Sequence, residues 1–236
     1  MNKEMKMKTF RIGILGSGNM GRTLGLRWAE AGHEVFFGSQ FEHELATVRQ
    51  HATVPVSTGS LDEAAGYGDI LLFTARGLMP SQLIDKTLAK GKILVDLNNF
   101  SIPEGFNYPA VEDSLAERAQ RDLPDARVVK AFNNLAMEAY ELPADQLESL
   151  SVSAFIAGDD ATAKEDVAQL ARVLGLQPID VGPLRQARLL ESMGDLIRLL
   201  MGGRPGFGPM AHLSMHRLPA ASATRLGGRQ PSLLDS

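Results

Sequence analysis

Residues 10–40 read FRIGILGSGNMGRTLGLRWAEAGHEVFFGSQ, and this stretch decides the fold. Its first six residues, Phe10 to Leu15, form a short apolar run that is typical of a buried parallel strand. The glycine-rich turn at 16–21 follows at once, and after it come a helical pattern closed by Gly32 and a second apolar run from Glu34. A G-x-G-x-x-G turn between a strand and a helix, within a unit of about 30 residues, is typical of dinucleotide sites. The stretch therefore predicts a βαβ unit that binds a dinucleotide.

The three glycines of this turn have different expected roles. Gly16 permits the tight turn, Gly18 lets the backbone approach a pyrophosphate, and Gly21 lets the helix pack closely against the strand. The first turn of the helix then offers unpaired N–H groups and a partial positive charge to the phosphates. We therefore expect the pyrophosphate to lie against the start of this helix.

Composition narrows the class of protein. The chain has 236 residues, is 44% hydrophobic, carries a net charge of −4 and contains no cysteine. This length is enough for one large domain with a sizeable core. The mildly acidic balance, without a basic stripe, argues against a nucleic-acid partner. The absence of cysteine excludes disulfides, iron–sulfur clusters and thiol redox chemistry.

The two ends of the chain give the expected domain organisation. No apolar run reaches membrane-spanning length, and the start of the chain lacks the apolar core of a signal peptide, so we predict a cytoplasmic protein without a membrane partner. Residues 1–9 are expected to be a flexible N-terminus and 10–212 a single domain. Residues 213–236 contain Pro, Ser, Gly and Arg without periodicity and are expected to be a disordered tail.

Beyond Gln40, apolar strands alternate with helical segments. This alternation predicts a Rossmann-like α/β fold, a doubly wound and mainly parallel sheet with a C-terminal strand–helix extension. The further predicted strands are 54–56, 69–73, 92–96, 126–132, 152–157 and 177–181. The further predicted helices are 41–52, 60–65 with Ser60 and Glu63 as a capping box, 80–88, 111–121, 161–174 and 183–201.

Polar residues follow four of the predicted strands. Ligands of such sheets lie at the carboxyl ends of the strands. We expect the first of these ends to meet the adenosine ribose and the later ones to approach the nicotinamide. Asparagine both donates and accepts, so it can hold a carboxamide or a ribose hydroxyl, although it can equally cap turns and helices. The four groups are Ser39-Gln40, Thr74-Ala75-Arg76, Asp96-Asn98-Asn99 and Asn133-Asn134.

The end of the second strand bears on the choice between NAD and NADP. An NAD site has an acidic residue there that binds the ribose hydroxyls, and residues 37–40 contain none. An NADP site needs a cation for the 2′-phosphate, and His43, Arg49 or Arg76 could supply it from further off. Ser39 and the missing carboxylate favour NADP over NAD.

Candidate acids, bases and metal ligands are few. None of the three tyrosines is followed by a lysine four residues later, and His33 lies in a helix-to-strand turn. Asp159-Asp160 precedes a helix and is interpreted as its N-cap. His212 and His216 have a spacing that suits a metal, but without further ligands a surface or interface role is favoured, and no metal is predicted. A flavin-like acceptor fits this lack of a proton donor, because the ring carries the chemistry itself.

Three motif regions resemble a known family. The chain is similar to the coenzyme F420-dependent NADP oxidoreductases, which pass a hydride between NADPH and a deazaflavin. It also resembles the cytosolic oxidoreductase domain of the six-transmembrane ferric reductases, where NADPH reduces a flavin. The resemblance covers about residues 10–200, and the motifs are IGILGSGNMG at 12–21, VVKAFNN at 128–134, and AGDDATAK with DVGPLRQARLLES at 157–164 and 180–192.

The resemblance implies roles for individual residues. Ser17, Gly18, Asn19 and Met20 would hold the pyrophosphate, Ser39 the 2′-phosphate, and Ala75, Asn98 and Met137 would line the rest of the groove. The full expected contact set is Gly16, Ser17, Gly18, Asn19, Met20, Gly21, Ser39, Gln40, Thr74, Ala75, Arg76, Asn98, Asn133 and Met137.

The chain also departs from the family at three positions. Gln40 and Glu44 stand where the deazaflavin enzymes have Arg and Lys, which weakens the NADP assignment. Asn133 matches the ferric reductase domains, whereas the deazaflavin enzymes tend to have His there. Asn133 is the candidate for orienting the ring, and no catalytic residue is assigned.

The sequence thus predicts an NADP(H)-dependent oxidoreductase that transfers hydride between nicotinamide and a flavin or deazaflavin. One alternative is a non-catalytic NADP(H)-binding redox sensor. Another is an imine reductase similar to pyrroline-5-carboxylate reductase, whose long dimer-forming helices are missing here, since only 183–201 remains. The family resemblance implies a homodimer in which this last helix packs between subunits.

Overall fold

A computed structural model describes residues 8–202 and 207–216. Within these ranges one mixed sheet has the strand order β3-β2-β1-β4-β5-β6-β7-β8. All neighbouring strands are parallel except β6 and β7, which pair antiparallel through Val129 and Gly158. The strands are β1 (Arg11–Leu15), β2 (Glu34–Gly38), β3 (Ser57–Gly59), β4 (Ile70–Phe73), β5 (Ile93–Asp96), β6 (Arg127–Lys130), β7 (Ser153–Gly158) and β8 (Gln177–Asp180).

Helices cover both faces of this sheet. Leu24 and Trp28 of the first helix pack in one hydrophobic layer with Ile14 and Leu72, whereas Leu71 faces the other layer. The helices are α1 (Asn19–Glu30), α2 (Glu42–His51), α3 (Leu61–Tyr67), α4 (Leu115–Asp122), α5 (Met137–Tyr140), α6 (Ala144–Ser149), α7 (Ala161–Val173) and α8 (Ala187–Gly202).

The predicted fold class is confirmed. The strand order reverses between β1 and β4. Strands β2 and β3 extend the sheet on one side of β1, and the strands from β4 onward extend it on the other side. Ligands of doubly wound sheets bind at such a reversal, outside the carboxyl ends of the strands. The expected flexible N-terminus and tail lie largely outside the described residues, since 1–7 and 217–236 are not among them.

The predicted strand at 54–56 is wrong. The edge strand is β3, three residues later, where Ser57 pairs with Phe36 of β2. Val54 and Val56 instead pack as partly buried side chains against the core. Pro55 between them has no N–H to donate to a ladder, which disfavours pairing at that point.

The predicted helix at 80–88 is also wrong. Two short 3₁₀ helices, Pro80–Gln82 and Lys86–Ala89, replace it. Asp62 accepts from the Asp85 N–H at 3.0 Å, a group that would donate to the Ser81 carbonyl in a continuous helix, and Asp122 holds the Ser81 N–H at 2.8 Å. Tertiary hydrogen bonds therefore override the local helical pattern.

Two other helices differ from prediction at their first turns. The helix predicted at 111–121 begins only after Ser114, whose side chain forms a capping box with Glu117. The helix predicted from residue 183 begins with a 3₁₀ turn, Leu184–Gln186, and α8 follows it. The predicted capping box of Ser60 and Glu63 is confirmed. The short helices α5 and α6 were not predicted.

The helices were also compared with the dimensions of a bilayer. None of those in the described part of the chain combines the length and the apolar character that crossing it requires.

Candidate dinucleotide site

The glycine turn after β1 is fixed on both sides by hydrogen bonds. The Gly16 N–H donates to the Gly38 carbonyl at 3.1 Å, and the Thr74 hydroxyl donates to the Gly16 carbonyl at 2.7 Å. Gly16 has a φ of +108°, in the region that favours glycine. The turn is therefore held between the carboxyl ends of β2 and β4.

Gly21 and Gly18 differ in the space around them. A methyl group on Gly21 would lie 2.0 Å from the Gly16 carbonyl oxygen, so α1 packs directly on the turn. A methyl group on Gly18 would meet only the Glu44 Oε1 atom, at 3.5 Å. The backbone at Gly18 is thus open to a ligand, as the motif predicts.

The start of α1 is left open to an anion. Gly18 is the N-cap, and among the described residues no side chain accepts a capping hydrogen bond from this end or adds an acidic group to the first turn. The unpaired N–H groups and the helix dipole together favour a bound phosphate. Of the residues expected there, Asn19 is exposed and Met20 is partly buried against the core.

Ser17 is placed differently from its neighbours. Its side chain is fully buried and its hydroxyl donates to the Gly38 carbonyl at 3.0 Å. The hydroxyl therefore ties the turn to β2, and a contact between Ser17 and a phosphate stays a prediction.

A carboxylate occupies the end of β2. Ser39 is 8% exposed, and its hydroxyl donates to Oε2 of Glu44 at 2.5 Å while accepting from the Phe41 N–H at 3.0 Å. Gln40, the other residue predicted here, is exposed. Residues 37–40 contain no carboxylate, and the one at this end belongs to Glu44, which the sequence marks only as a departure from the family and which reaches back from the first turn of α2.

The cations proposed for a 2′-phosphate are spread apart. Arg49 forms an ion pair with Glu42 and donates to the Thr58 hydroxyl at 3.0 Å. The His43 ring lies 5.7 Å from the Phe41 ring, and Arg76 is exposed in the loop after β4. None of these contacts places a cation against Ser39.

The asparagines at the ends of β5 and β6 come together as expected. The Asn133 amide donates to Oδ1 of Asn99 at 2.9 Å and to the Leu190 carbonyl at 2.7 Å, while the Asn98 amide donates to the Phe73 carbonyl at 3.2 Å. The side-chain oxygens of Asn98 and Asn133 are buried and accept no hydrogen bond within the described residues. These amides hold the strand ends, as the capping interpretation has it, and their two buried oxygens are left without a donor among the described residues.

Asn134 has a separate role. Its amide donates to the Ser153 carbonyl at 3.1 Å, so it joins the end of β6 to β7. Phe132, just before the asparagines, has a φ of +61°, and its carbonyl oxygen accepts from the buried Tyr140 hydroxyl at 3.1 Å. A positive φ is rare for an aromatic residue and sets the direction in which the chain leaves β6.

A buried charged cluster lies beneath these asparagines, and the sequence did not reveal it. Lys130, Asp96 and Glu191 are all fully buried. The Lys130 ammonium donates to Asp96 at 2.8 Å, to Glu191 at 2.9 Å and to the Asn98 carbonyl. Glu191 also accepts from the N–H groups at the start of α4. Burial raises the pKa of Glu191, and the Lys130 charge opposes this rise.

The remaining expected residues lie around this frame. Ala75 is partly buried against the core at the end of β4, and Met137 is a partly buried residue at the start of α5. Their contacts with a dinucleotide stay predictions.

The other candidate groups have structural partners. Asp160 is the predicted N-cap of α7, with the Ala163 N–H at 2.7 Å, and Asp159 accepts from the Leu184 N–H at 2.9 Å. His33 accepts from the Phe10 N–H at 3.2 Å, and burial lowers its pKa. His212 lies 3.2 Å from the Ser214 hydroxyl. Across 8–202 and 207–216, no three His, Asp or Glu side chains gather as a metal site would require.

Comparison with known proteins identifies related sequences. The sequence model of the family described as "NADP oxidoreductase coenzyme F420-dependent" matches residues 11–100. The F420-dependent NADP reductase of Methanothermobacter thermautotrophicus is 31% identical over 219 residues, which cover 84% of this chain and 90% of that protein.

Two further comparisons extend the similarity. Metalloreductase STEAP2 of Homo sapiens is 30% identical over 185 residues, and the matched region spans 77% of this chain but 35% of that longer protein. A crystal structure from Arthrobacter sp. FB24, provisionally described as an F420-dependent NADP reductase, superposes with a TM-score of 0.75 at 28% identity. It covers 88% of this chain and 100% of that one.

Proposed function

Because the chain belongs to the family of coenzyme F420-dependent NADP oxidoreductases, we propose that it moves a hydride between a nicotinamide dinucleotide and a flavin or deazaflavin ring. The observation that carries this proposal is the open start of α1 behind Gly18, at the point where the strand order reverses. The names of the related reductases support NADP(H) as the dinucleotide and a deazaflavin as the acceptor.

The chain's own contribution is binding and orientation. The N–H groups at 18–21 would hold the pyrophosphate, and Asn98 and Asn133, whose buried side-chain oxygens accept no hydrogen bond from the described residues, would lie at the nicotinamide. The nicotinamide, when bound, supplies the hydride, and the acceptor ring takes both of its electrons. A ring acceptor needs only stacking and alignment, which agrees with a site built from backbone and amide groups.

Steady-state kinetics tests this proposal. Purified protein is mixed with NADPH or NADH and, in turn, with FMN, FAD, riboflavin or a deazaflavin, and loss of the 340 nm absorbance is followed. We expect turnover with at least one ring acceptor. Tight binding of both oxidised and reduced dinucleotide without any hydride transfer would contradict the proposal and favour a redox sensor.

We also propose a homodimer formed through α8. Leu189 is 66% exposed and Leu196 is 48% exposed, and partly buried Met193 and Leu200 lie on the same stripe at helical spacing. A continuous apolar stripe on a helix favours burial against a partner.

The variant L189E/L196E tests the dimer. We expect the unaltered protein to have the mass of a dimer in light scattering, and the variant to be monomeric because two charges cannot be buried in an apolar interface. The variant K90E, an exposed change in a loop before β5, is the control and should remain dimeric. The proposal would be contradicted if the unaltered protein had the mass of a monomer at high concentration as well as after 100-fold dilution.

A further inference from the structure

We infer that Glu44 reads the adenosine ribose and makes this chain favour NAD(H) over NADP(H). The inference rests on the proposed dinucleotide site and names the form of the dinucleotide that this site takes. It runs against the dinucleotide named for the related reductases and against the sequence-based preference for NADP, which depended on the absence of a carboxylate at the end of β2.

The position of Glu44 is the first step. The Gly38 carbonyl accepts from both the Gly16 N–H and the Ser17 hydroxyl, so the end of β2 lies against the glycine turn. The Glu44 carboxylate spans the two parts, with Oε2 on Ser39 at 2.5 Å and Oε1 3.5 Å from the place of a methyl group on Gly18. In a βαβ dinucleotide site, the ribose next to the pyrophosphate lies at this junction.

The hydrogen-bonding chemistry is the second step. Oε1 of Glu44 has no partner among the hydrogen bonds of the described residues and can accept from a ribose 2′-hydroxyl. The Ser39 hydroxyl already gives its proton to Oε2, and its oxygen accepts from the Phe41 N–H. Neither side chain in this arrangement has a proton for a phosphate oxygen, which can only accept.

Charge is the third step. A 2′-phosphate carries a charge of about −1.5 to −2 at neutral pH and would meet a carboxylate at close range. Arg49, the nearest arginine along the chain, is already paired with Glu42 of the same helix. A ribose with a free 2′-hydroxyl adds no charge and gains a charge-assisted hydrogen bond.

Calorimetric titration of the full chain with NAD⁺ and with NADP⁺ tests the inference. We expect the unaltered protein to bind NAD⁺ about tenfold more tightly, the size of one charge-assisted hydrogen bond. In E44Q, which keeps the shape and removes the charge, we expect the preference to shrink by about tenfold. In E44K we expect it to reverse toward NADP⁺.

A control variant separates this effect from a change in the net charge of the protein. E148Q removes one exposed carboxylate from α6 and should leave the ratio of the two dissociation constants within about twofold. Tighter binding of NADP⁺ by the unaltered protein, or a ratio that E44Q does not change, would overturn the role of Glu44 alone. Binding of neither dinucleotide would overturn the proposed function as well.

Discussion

The substitution Gly18→Ala is expected to raise the dissociation constant for a dinucleotide by about a hundredfold or more while leaving the fold intact. The added methyl group would meet only the tip of Glu44, at an ordinary contact distance, and φ at this position is −64°, which alanine adopts freely. A pyrophosphate must approach this same backbone. Forcing it away would weaken two or more charge-assisted hydrogen bonds, each worth about 1.5–3 kcal/mol.

Substitutions at two other glycines show whether the weaker binding arises from a clash with the ligand or from damage to the fold. Gly66→Ala adds a methyl group within α3, where nothing lies within 4 Å, and should leave binding unchanged while stabilising the helix by up to about 1 kcal/mol. Gly21→Ala places a methyl group 2.0 Å from the Gly16 carbonyl and should destabilise the folded protein itself. Calorimetry and urea unfolding measure both quantities. Normal binding by a folded Gly18→Ala protein would contradict a pyrophosphate at this turn.

The βαβ unit could be predicted because each of its features is local. The apolar run of β1, the glycines of the turn and the C-terminal Gly32 of α1 all indicate the same unit, and residues within about 30 positions suffice to specify it. The capping boxes at Ser60 and Ser114 have the same local character, although sequence reasoning used only the first of them.

The mispredicted segments depend on contacts from distant parts of the chain. The helical pattern at 80–88 is interrupted where Asp62 of α3 accepts from the Asp85 N–H, and Asp122 of α4 holds the Ser81 N–H nearby. Periodicity in the segment itself contains no information on these partners.

The residues of the candidate site also divide into those that local sequence marks and those that depend on distant parts of the chain. The glycine turn and the asparagines could be located because motifs and strand ends mark them. The sequence shows Glu44 only as a departure from the family, because its contact with Ser39 requires α2 to fold back over the end of β2. Lys130 gave one usable signal, a lysine within the apolar run VVKAF, but its partners Asp96 and Glu191 lie 34 and 61 residues away.

Replacing Lys130 by methionine is expected to reduce the free energy of unfolding by about 3–5 kcal/mol. The ammonium lies between the carboxylates of Asp96 and Glu191, and all three side chains are fully buried. Methionine would fill much of the same volume, but it would leave two buried carboxylates without a counter-charge. It would also release the Asn98 carbonyl, which follows β5. Urea unfolding monitored by the fluorescence of buried Trp28 measures this loss.

Two further variants show whether the lost stability arises from the buried charges. Lys86→Met removes a lysine that pairs with Asp122 but is 59% exposed, and it should cost no more than about 1 kcal/mol because solvent screens the pair. Adding D96N and E191Q to Lys130→Met removes the unpaired charges, so this triple variant should recover part of the lost stability. If Lys130→Met were as mild as Lys86→Met, the cluster would not hold β5, β6 and α8 together. If the triple variant recovered nothing, the loss would come from packing and hydrogen bonds to Asn98, and the two carboxylates would not be its cause.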